Sequence, residues 1–305
     1  MPSHLKKLVR SRMEKTGESY EQALRHVRAQ EEREPTSTPA ADTSYTKSSA
    51  RSRSVADTAF SVAAVRAEEA ERPEPERLFE DPYAASFAAA GAHVAEATQR
   101  FLDLPFFRDG IRLRTRFIDD FVREGIAAGL TQLVLLGAGF DARGLRIPEI
   151  AERRVSVYEI DTPDQLQRKR SILMGARVKS PATVVPVPFD FDTDDFENEL
   201  TAALVAKGFQ RDPGTLYVWE GVIGYIDSAA IARSLRFMAN AAGPRSRLVF
   251  TYGDGTFAPD TAETRCRQAG FTSFEELGGD ELWRRYLPGA PHPNAWAMKL
   301  GTAAV

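Results

Sequence analysis

The sharpest chemical signal in this chain is an apolar run that ends in glycine. Leu133-Val-Leu-Leu136 passes directly into Gly137-Ala138-Gly139-Phe140-Asp141. A strand-to-helix turn of this kind lets backbone approach a ligand closely, because Gly137 and Gly139 can take positive φ and carry no side chain. The helix start that follows points unpaired N–H groups at an electron-rich group. Twenty-four positions after Gly137, the run Val155-Ser-Val-Tyr158-Glu159-Ile160 ends in Asp161. A nucleotide-binding sheet places a carboxylate there to accept from both ribose hydroxyls. The same position suits an N-cap for the helix opening at Thr162-Pro163, and the two roles are compatible. A third run ends in Phe189-Asp190-Phe191-Asp192. Here an acid between aromatics suits an adenine amino group with apolar packing on the ring, while Asp192-Thr-Asp-Asp reads equally as an acidic helix start. A fourth run, Leu216-Tyr-Val-Trp219, is followed by Glu220, at the carboxyl end of a buried strand, where ligands of open α/β sheets bind.

These positions do chemistry only if a scaffold gathers the strand ends. From about residue 130, short apolar runs alternate with amphipathic stretches in the manner of βαβ units. Strands are predicted at Gln132–Leu136, Arg154–Glu159, Thr183–Pro188, Leu216–Trp219 and Arg247–Thr251. Helices are predicted at Ala142–Glu152, Pro163–Ala176, Asp194–Lys207, Ser228–Ala242 and Pro259–Ala269. That alternation implies a parallel sheet covered on both faces. Ahead of it, helical patterns cover Val55–Arg72, a segment opening at Asp81-Pro82, and Asp109–Ala128. Behind it, Glu275–Tyr286 reads as a helix and Ala295–Leu300 as a last strand. Residues 1–33 read as a basic helical appendage and 34–54, rich in Pro, Ser and Thr, as a disordered linker, which leaves 55–305 as one enzyme-sized domain.

Composition narrows the partners. A single cysteine, Cys266, rules out an internal disulfide, and four scattered histidines (His4, His26, His93, His292) give no metal-ligand spacing. No run of about 18 apolar residues and no secretory leader is present, so a soluble, cytoplasmic protein is expected. A net charge of −3 does not describe a nucleic-acid surface, and small molecules are the expected partners. Lys6, Lys7, Arg10 and Arg12 make the first helix basic, but Glu14, Glu18 and Glu21 are interleaved. A solvated helix accounts for this pattern; docking to a carrier domain or other partner is the alternative.

Taken in order, Arg114-Thr-Arg-Phe-Ile-Asp, Leu136-Gly-Ala-Gly-Phe-Asp141, Tyr158-Glu-Ile-Asp161 and Trp219-Glu220-Gly-Val-Ile-Gly-Tyr225 resemble the leucine carboxyl methyltransferase-like family. The resemblance covers roughly residues 56 to 252. It implies a Rossmann-like class I methyltransferase, with a mostly parallel seven-stranded sheet, helices on both faces and extra N-terminal helices forming a lid. The implied cofactor is S-adenosyl-L-methionine. By the same resemblance, Arg114 meets its methionine carboxylate, Gly137, Ala138 and Gly139 line its methionine and ribose portion, and Asp161 holds the ribose hydroxyls. Asp190 and Phe191 then lie beside the adenine, Glu220 near the amino group, and Tyr225 faces the acceptor. On pattern alone Arg114 is equally a solvated helix charge, with Arg116 the fallback for its role.

One departure bears on the acceptor. Carboxyl-methylating relatives follow the third-strand pair with an arginine, whereas Phe191 is followed by Asp192. A hydroxyl or phenol acceptor is therefore expected over a carboxylate. The glycine turn also meets the loose dinucleotide fingerprint. An NAD-dependent oxidoreductase and a non-catalytic cofactor-binding regulator thus stand as alternative readings.

Overall fold

The computed structural model describes residues 58–305 apart from 182, 212 and 242, together with Gln22 and Arg25. The chain forms two compact units, Met1–Ser52 and Arg53–Val305. Of the first, Gln22 and Arg25 are helical; the rest of the expected appendage and the linker lie outside the described residues.

Among the described residues of the second unit four α-helices precede any strand: α1 (58–70), α2 (Ala84–Ala90), α3 (Ala95–Leu102) and α4 (Phe107–Ala127). Strand and helix then alternate through β1 (Gln132–Leu136), α5 (Arg143–Arg146), α6 (Pro148–Glu152), β2 (Ser156–Asp161) and α7 (Pro163–Gly175). The series continues through β3 (Val184–Pro188), α8 (Phe196–Val205), β4 (Thr215–Trp219), α9 (Ser228–Asn240) and β5 (Arg247–Gly253). It closes with α10 (Ala262–Ala269), β6 (Ser273–Gly278), α11 (Gly279–Tyr286) and β7 (Met298–Ala304).

The strands make one sheet in the order β3-β2-β1-β4-β5-β7-β6. β1 to β5 pair in parallel, and β7 runs antiparallel to both β5 and β6. Every residue of β1 and β4 is buried, as expected for central parallel strands covered on both faces. Along β1, Val134 and Leu136 join one core with Leu200 of α8 and Leu235 and Phe237 of α9, while Leu133 and Leu135 join another with Leu113, Phe117 and Phe121 of α4. The chain leaves β1 toward β2 and β3, then returns to add β4 and β5 on the other side. Connections therefore diverge at the carboxyl ends of β1 and β4, which opens a crevice at that point.

Two predicted elements are corrected. The helix expected over Ala142–Glu152 is broken at Ile147, which is extended (φ −87°, ψ 108°) because Pro148 follows it. The helix expected over Glu275–Tyr286 is strand β6 up to Gly278 and helical only from Gly279. β6 is an edge strand with no fully buried residue, so it lacks the apolar alternation that marks a half-buried strand.

Candidate active site

The glycine turn sits at the crevice, and local sterics explain its residues. Gly137 has φ +72°, and a Cβ there would lie 2.5 Å from Val222 Cγ2; Gly139 has φ +48°. The amides of Gly137 and Ala138 both donate to the Ile160 carbonyl at 2.9 Å, which locks the turn to the end of β2. A Cβ on Gly139 would meet nothing nearer than the Gly137 carbonyl oxygen at 4.0 Å, so this part of the loop faces open space.

Asp161 lies directly beside the turn. Its Oδ2 accepts from the Gly139 amide and its Oδ1 from the Thr162 amide, both at 2.7 Å. Burial raises its pKa against the pull of those two amides. Thr162, not Asp161, caps α7, its Oγ1 accepting from the Gln165 amide at 3.4 Å. Beneath the turn, the buried Lys169 ammonium of α7 donates to Glu159 Oε1 at 2.8 Å and to the Asp141 carbonyl. Burial holds Glu159 above its ordinary pKa despite Lys169.

Glu220 lies across the crevice at the end of β4, in the grip of three guanidinium groups. Its Oε1 accepts from Arg114 Nε at 2.8 Å and Arg66 Nη2 at 3.1 Å; its Oε2 accepts from Arg143 Nη1 at 2.7 Å and Arg66 Nη2 at 3.2 Å. Burial alone would raise its pKa, but Arg143, Arg66 and Arg114 together hold it well below the usual carboxylate range. The network continues inward. Arg143 also binds Asp141 and, at 2.8 Å, Asp119 Oδ1; Asp119 takes two 2.6 Å bonds from Arg146. Arg146 in turn lies 3.7 Å from Asp81. Arg66, Arg114, Arg143 and Arg146 are thus balanced by Glu220, Asp141, Asp119 and Asp81, although around Glu220 itself cations outnumber anions.

The structure brings Arg114, Gly137, Ala138, Gly139, Asp161 and Glu220 to one crevice. Arg116 instead pairs with Asp120 at 3.0 Å and donates to the Leu78 carbonyl, so the fallback assignment falls away. Asp190 is exposed, with its Oδ1 accepting from the Asp192 amide at 3.0 Å, and Phe191 packs edge-on to Phe189 with ring centroids 5.6 Å apart. Tyr225 is half-buried in the 3-10 turn Ile223–Tyr225, which follows Glu220. Of the described histidines, His93 is exposed against the edge of Phe60, with Nδ1 3.1 Å from the Ala90 carbonyl oxygen, and His292 Nδ1 accepts from the Asn294 amide at 3.1 Å. Sequence reasoning missed the roles of Arg66, Arg143, Asp119 and Lys169, although Asp119 closes the Arg114-Thr-Arg-Phe-Ile-Asp run and Arg143 lies two residues past Asp141.

These residues fit the zwitterionic, nucleoside-bearing cofactor that the sequence suggests. The glycine loop faces open space and Asp161 stands at the ribose position. Buried Arg66 Nε and Arg143 Nη2 have no hydrogen-bond partner, so guanidinium donors remain for an anion. Among the described residues no cluster of His, Cys, Asp or Glu is arranged for a metal, and no helix is long and apolar enough to cross a membrane.

Comparison with known proteins gives the same reading. The leucine carboxyl methyltransferase family profile matches residues 59–239. A Frankia alni protein, provisionally named an S-adenosyl-L-methionine-dependent methyltransferase, is 34% identical over 76% of this chain and 80% of its own length. A Mycobacteroides abscessus protein with the same provisional name is 36% identical over 67% and 65%. A solved methyltransferase structure from Thermobifida fusca, also provisionally named, aligns with a TM-score of 0.45 and 15% identity over 70% of this chain and 88% of that one. With its crevice, glycine turn and strand order, the chain belongs to the leucine carboxyl methyltransferase family of class I S-adenosyl-L-methionine-dependent methyltransferases.

Proposed function

We propose that this chain transfers the methyl group of S-adenosyl-L-methionine to the hydroxyl or phenol oxygen of a small molecule. The cofactor supplies a methyl already activated on a sulfonium. The protein's part is to bind, orient and exclude. Asp161 would accept from the ribose hydroxyls, and Arg114, with Arg66 behind it, would face the methionine carboxylate. Glu220 would face the ammonium, and Asp190 and Phe191 the adenine. Tyr225, on the turn after Glu220, would orient the acceptor.

The observation that supports a neutral acceptor is the acid-lined segment after β3. Asp190, Asp192, Asp194 and Asp195 are all exposed there. No arginine follows Phe191, and the cation that does reach it, Arg233, is spent on the Phe191 carbonyl at 2.7 Å and on the Phe196 ring. Carboxylates at a pocket mouth repel an anionic acceptor.

Titration calorimetry with S-adenosylmethionine, S-adenosylhomocysteine and NAD(H), with Asp161→Ala in parallel, tests the cofactor site. Micromolar binding of the sulfur compounds, lost in the variant, is expected; preference for NAD(H) would return the site to an oxidoreductase. Labelled-methyl transfer to matched panels of phenols, alcohols and carboxylic acids tests the acceptor. Transfer confined to carboxylic acids would overturn the hydroxyl assignment, and binding without transfer to any panel would favour a regulatory protein.

A further inference from the structure

The end of the sheet opposite the crevice carries a charge pattern that the methyl-transfer site does not use. In a parallel sheet every helix-to-strand connection returns to the amino edge, here the stretches 128–131, 153–155, 176–183, 206–214 and 241–246. Seven of their residues are basic and one, Asp212, is acidic, in a chain whose net charge is −3. Arg153 and Arg154 precede β2, Arg177 and Lys179 precede β3, Lys207 precedes β4 and Arg245 precedes β5; all six are exposed. Arg211, also before β4, caps the Asn240 carbonyl at 2.7 Å.

Backbone conformation shows that part of this charge is held at a cost. Arg154, Arg177 and Arg245 have φ of +52°, +57° and +68°; among described non-glycine residues only Phe106 shares that sign. The fold contains its own control. Five helices end in the same Schellman geometry, with paired bonds from the left-handed residue and its successor back into the last turn. At three of them the left-handed residue is glycine: Gly129, Gly208 and Gly270. At the other two it is Arg154, whose successor Val155 donates to the Ile150 carbonyl, and Arg177, whose successor Val178 donates to the Leu173 carbonyl. Arg245 occupies the third position of a turn closed by the Ser246 amide on the Gly243 carbonyl, where positive φ ordinarily selects glycine. Attraction of a cation to a helix C-terminus is satisfied anywhere in the last turn and does not require the left-handed position. Some surface arginines find acids, as Arg123 does Glu149 and Arg265 does Asp260; no described carboxylate is matched to these three.

We propose that this amino-edge rim is a docking surface for an acidic protein patch. From β3 to β5 the cations span four strand spacings, about 19 Å, within the reach of a standard interface. Five of the seven are arginine, whose fork suits carboxylates. The connections expose no aromatic side chain on which nucleic-acid bases could stack. Sheet twist fans the strand ends by roughly 20° per strand, so the cations follow a curved rim, unlike the plane a bilayer offers. Because the crevice opens at the opposite end, a partner docked here anchors the enzyme and leaves the mouth clear.

Glycine at the three left-handed positions removes the charge while relieving the backbone, which gives a test that does not depend on damaging the fold. The full chain and its Arg154→Gly/Arg177→Gly/Arg245→Gly variant are titrated with poly-L-glutamate at low salt, with a DNA duplex and phosphatidylserine vesicles as parallel probes. The variant is expected to melt at or above the wild-type temperature and to bind poly-L-glutamate about tenfold more weakly. Equal binding by the two proteins, or no binding by wild type, overturns the rim. A lower melting temperature makes the arginines structural. Stronger wild-type binding to DNA or vesicles than to poly-L-glutamate overturns the protein partner.

Discussion

At the scale of single residues, the site is a set of buried charges held by long-range contacts, and removing one member exposes the others. Glu220→Gln leaves Arg66, Arg114 and Arg143 facing a neutral amide. Breaking a buried ion pair costs about 3–5 kcal/mol, on the order of 10 °C in Tm for a domain of this size, and calorimetric melting reads it. Lys169 positions the loop without lying on the crevice itself. Lys169→Met leaves Glu159 buried and unpaired, so stability falls, and the Asp141 carbonyl loses its donor, so S-adenosylhomocysteine affinity is expected to fall about tenfold. Adding Glu159→Gln is expected to recover most of the Tm and little of the affinity; recovery of both would mean that Lys169 serves stability alone. Asp161, raised by burial, is expected to lose cofactor affinity at a higher pH than an ordinary aspartate would as acid is added, which titration across pH measures. Asp161 and Glu220 were legible in the sequence because each ends an apolar strand, and strand ends of parallel sheets converge. Arg66 and Lys169 were not, because each sits on a helix whose charge pattern looks solvated; Glu220 is 154 positions from Arg66, and Lys169 is joined to Glu159, 10 positions away, only by the return of α7 along the sheet.

At the scale of elements, the glycine turn and the segment after β4 are made for each other. Gly137→Ala forces a Cβ onto Val222 and a side chain into left-handed backbone, and a loss of about 1–3 kcal/mol is expected. Adding Val222→Ala relieves the clash and leaves the strain, so partial recovery in chemical denaturation checks which part dominates. Central strands were readable since full burial makes them continuous apolar runs, as in Leu133–Leu136. β6 was not readable, because an edge strand of Phe274, Glu275, Glu276 and Leu277 has a helix-like mixture of polar and apolar residues and takes its identity from pairing with β7. The break between α5 and α6 was visible in Pro148, whose effect on Ile147 outweighs the helical pattern around it.

For the molecule as a whole, the buried charges set the response to acid. Glu220 and Asp119 titrate below their ordinary range in the folded protein. The stability they contribute is complete above the unfolded carboxylate pKa, about 4, and is lost as pH falls toward their folded values. Glu159 and Asp161, raised by burial, act in the opposite sense, since the folded state takes up their protons first. Acid unfolding followed by circular dichroism is therefore expected to be less steep in Glu220→Gln than in wild type, because one depressed carboxylate has been removed. The strand order carries a separate consequence for how the molecule is made. β7 lies between β5 and β6, and β6 makes all its sheet pairs with β7. During synthesis, β6 leaves the ribosome before the only strand that can receive it exists, so the nascent chain holds an unmatched edge until residues 298–304 emerge.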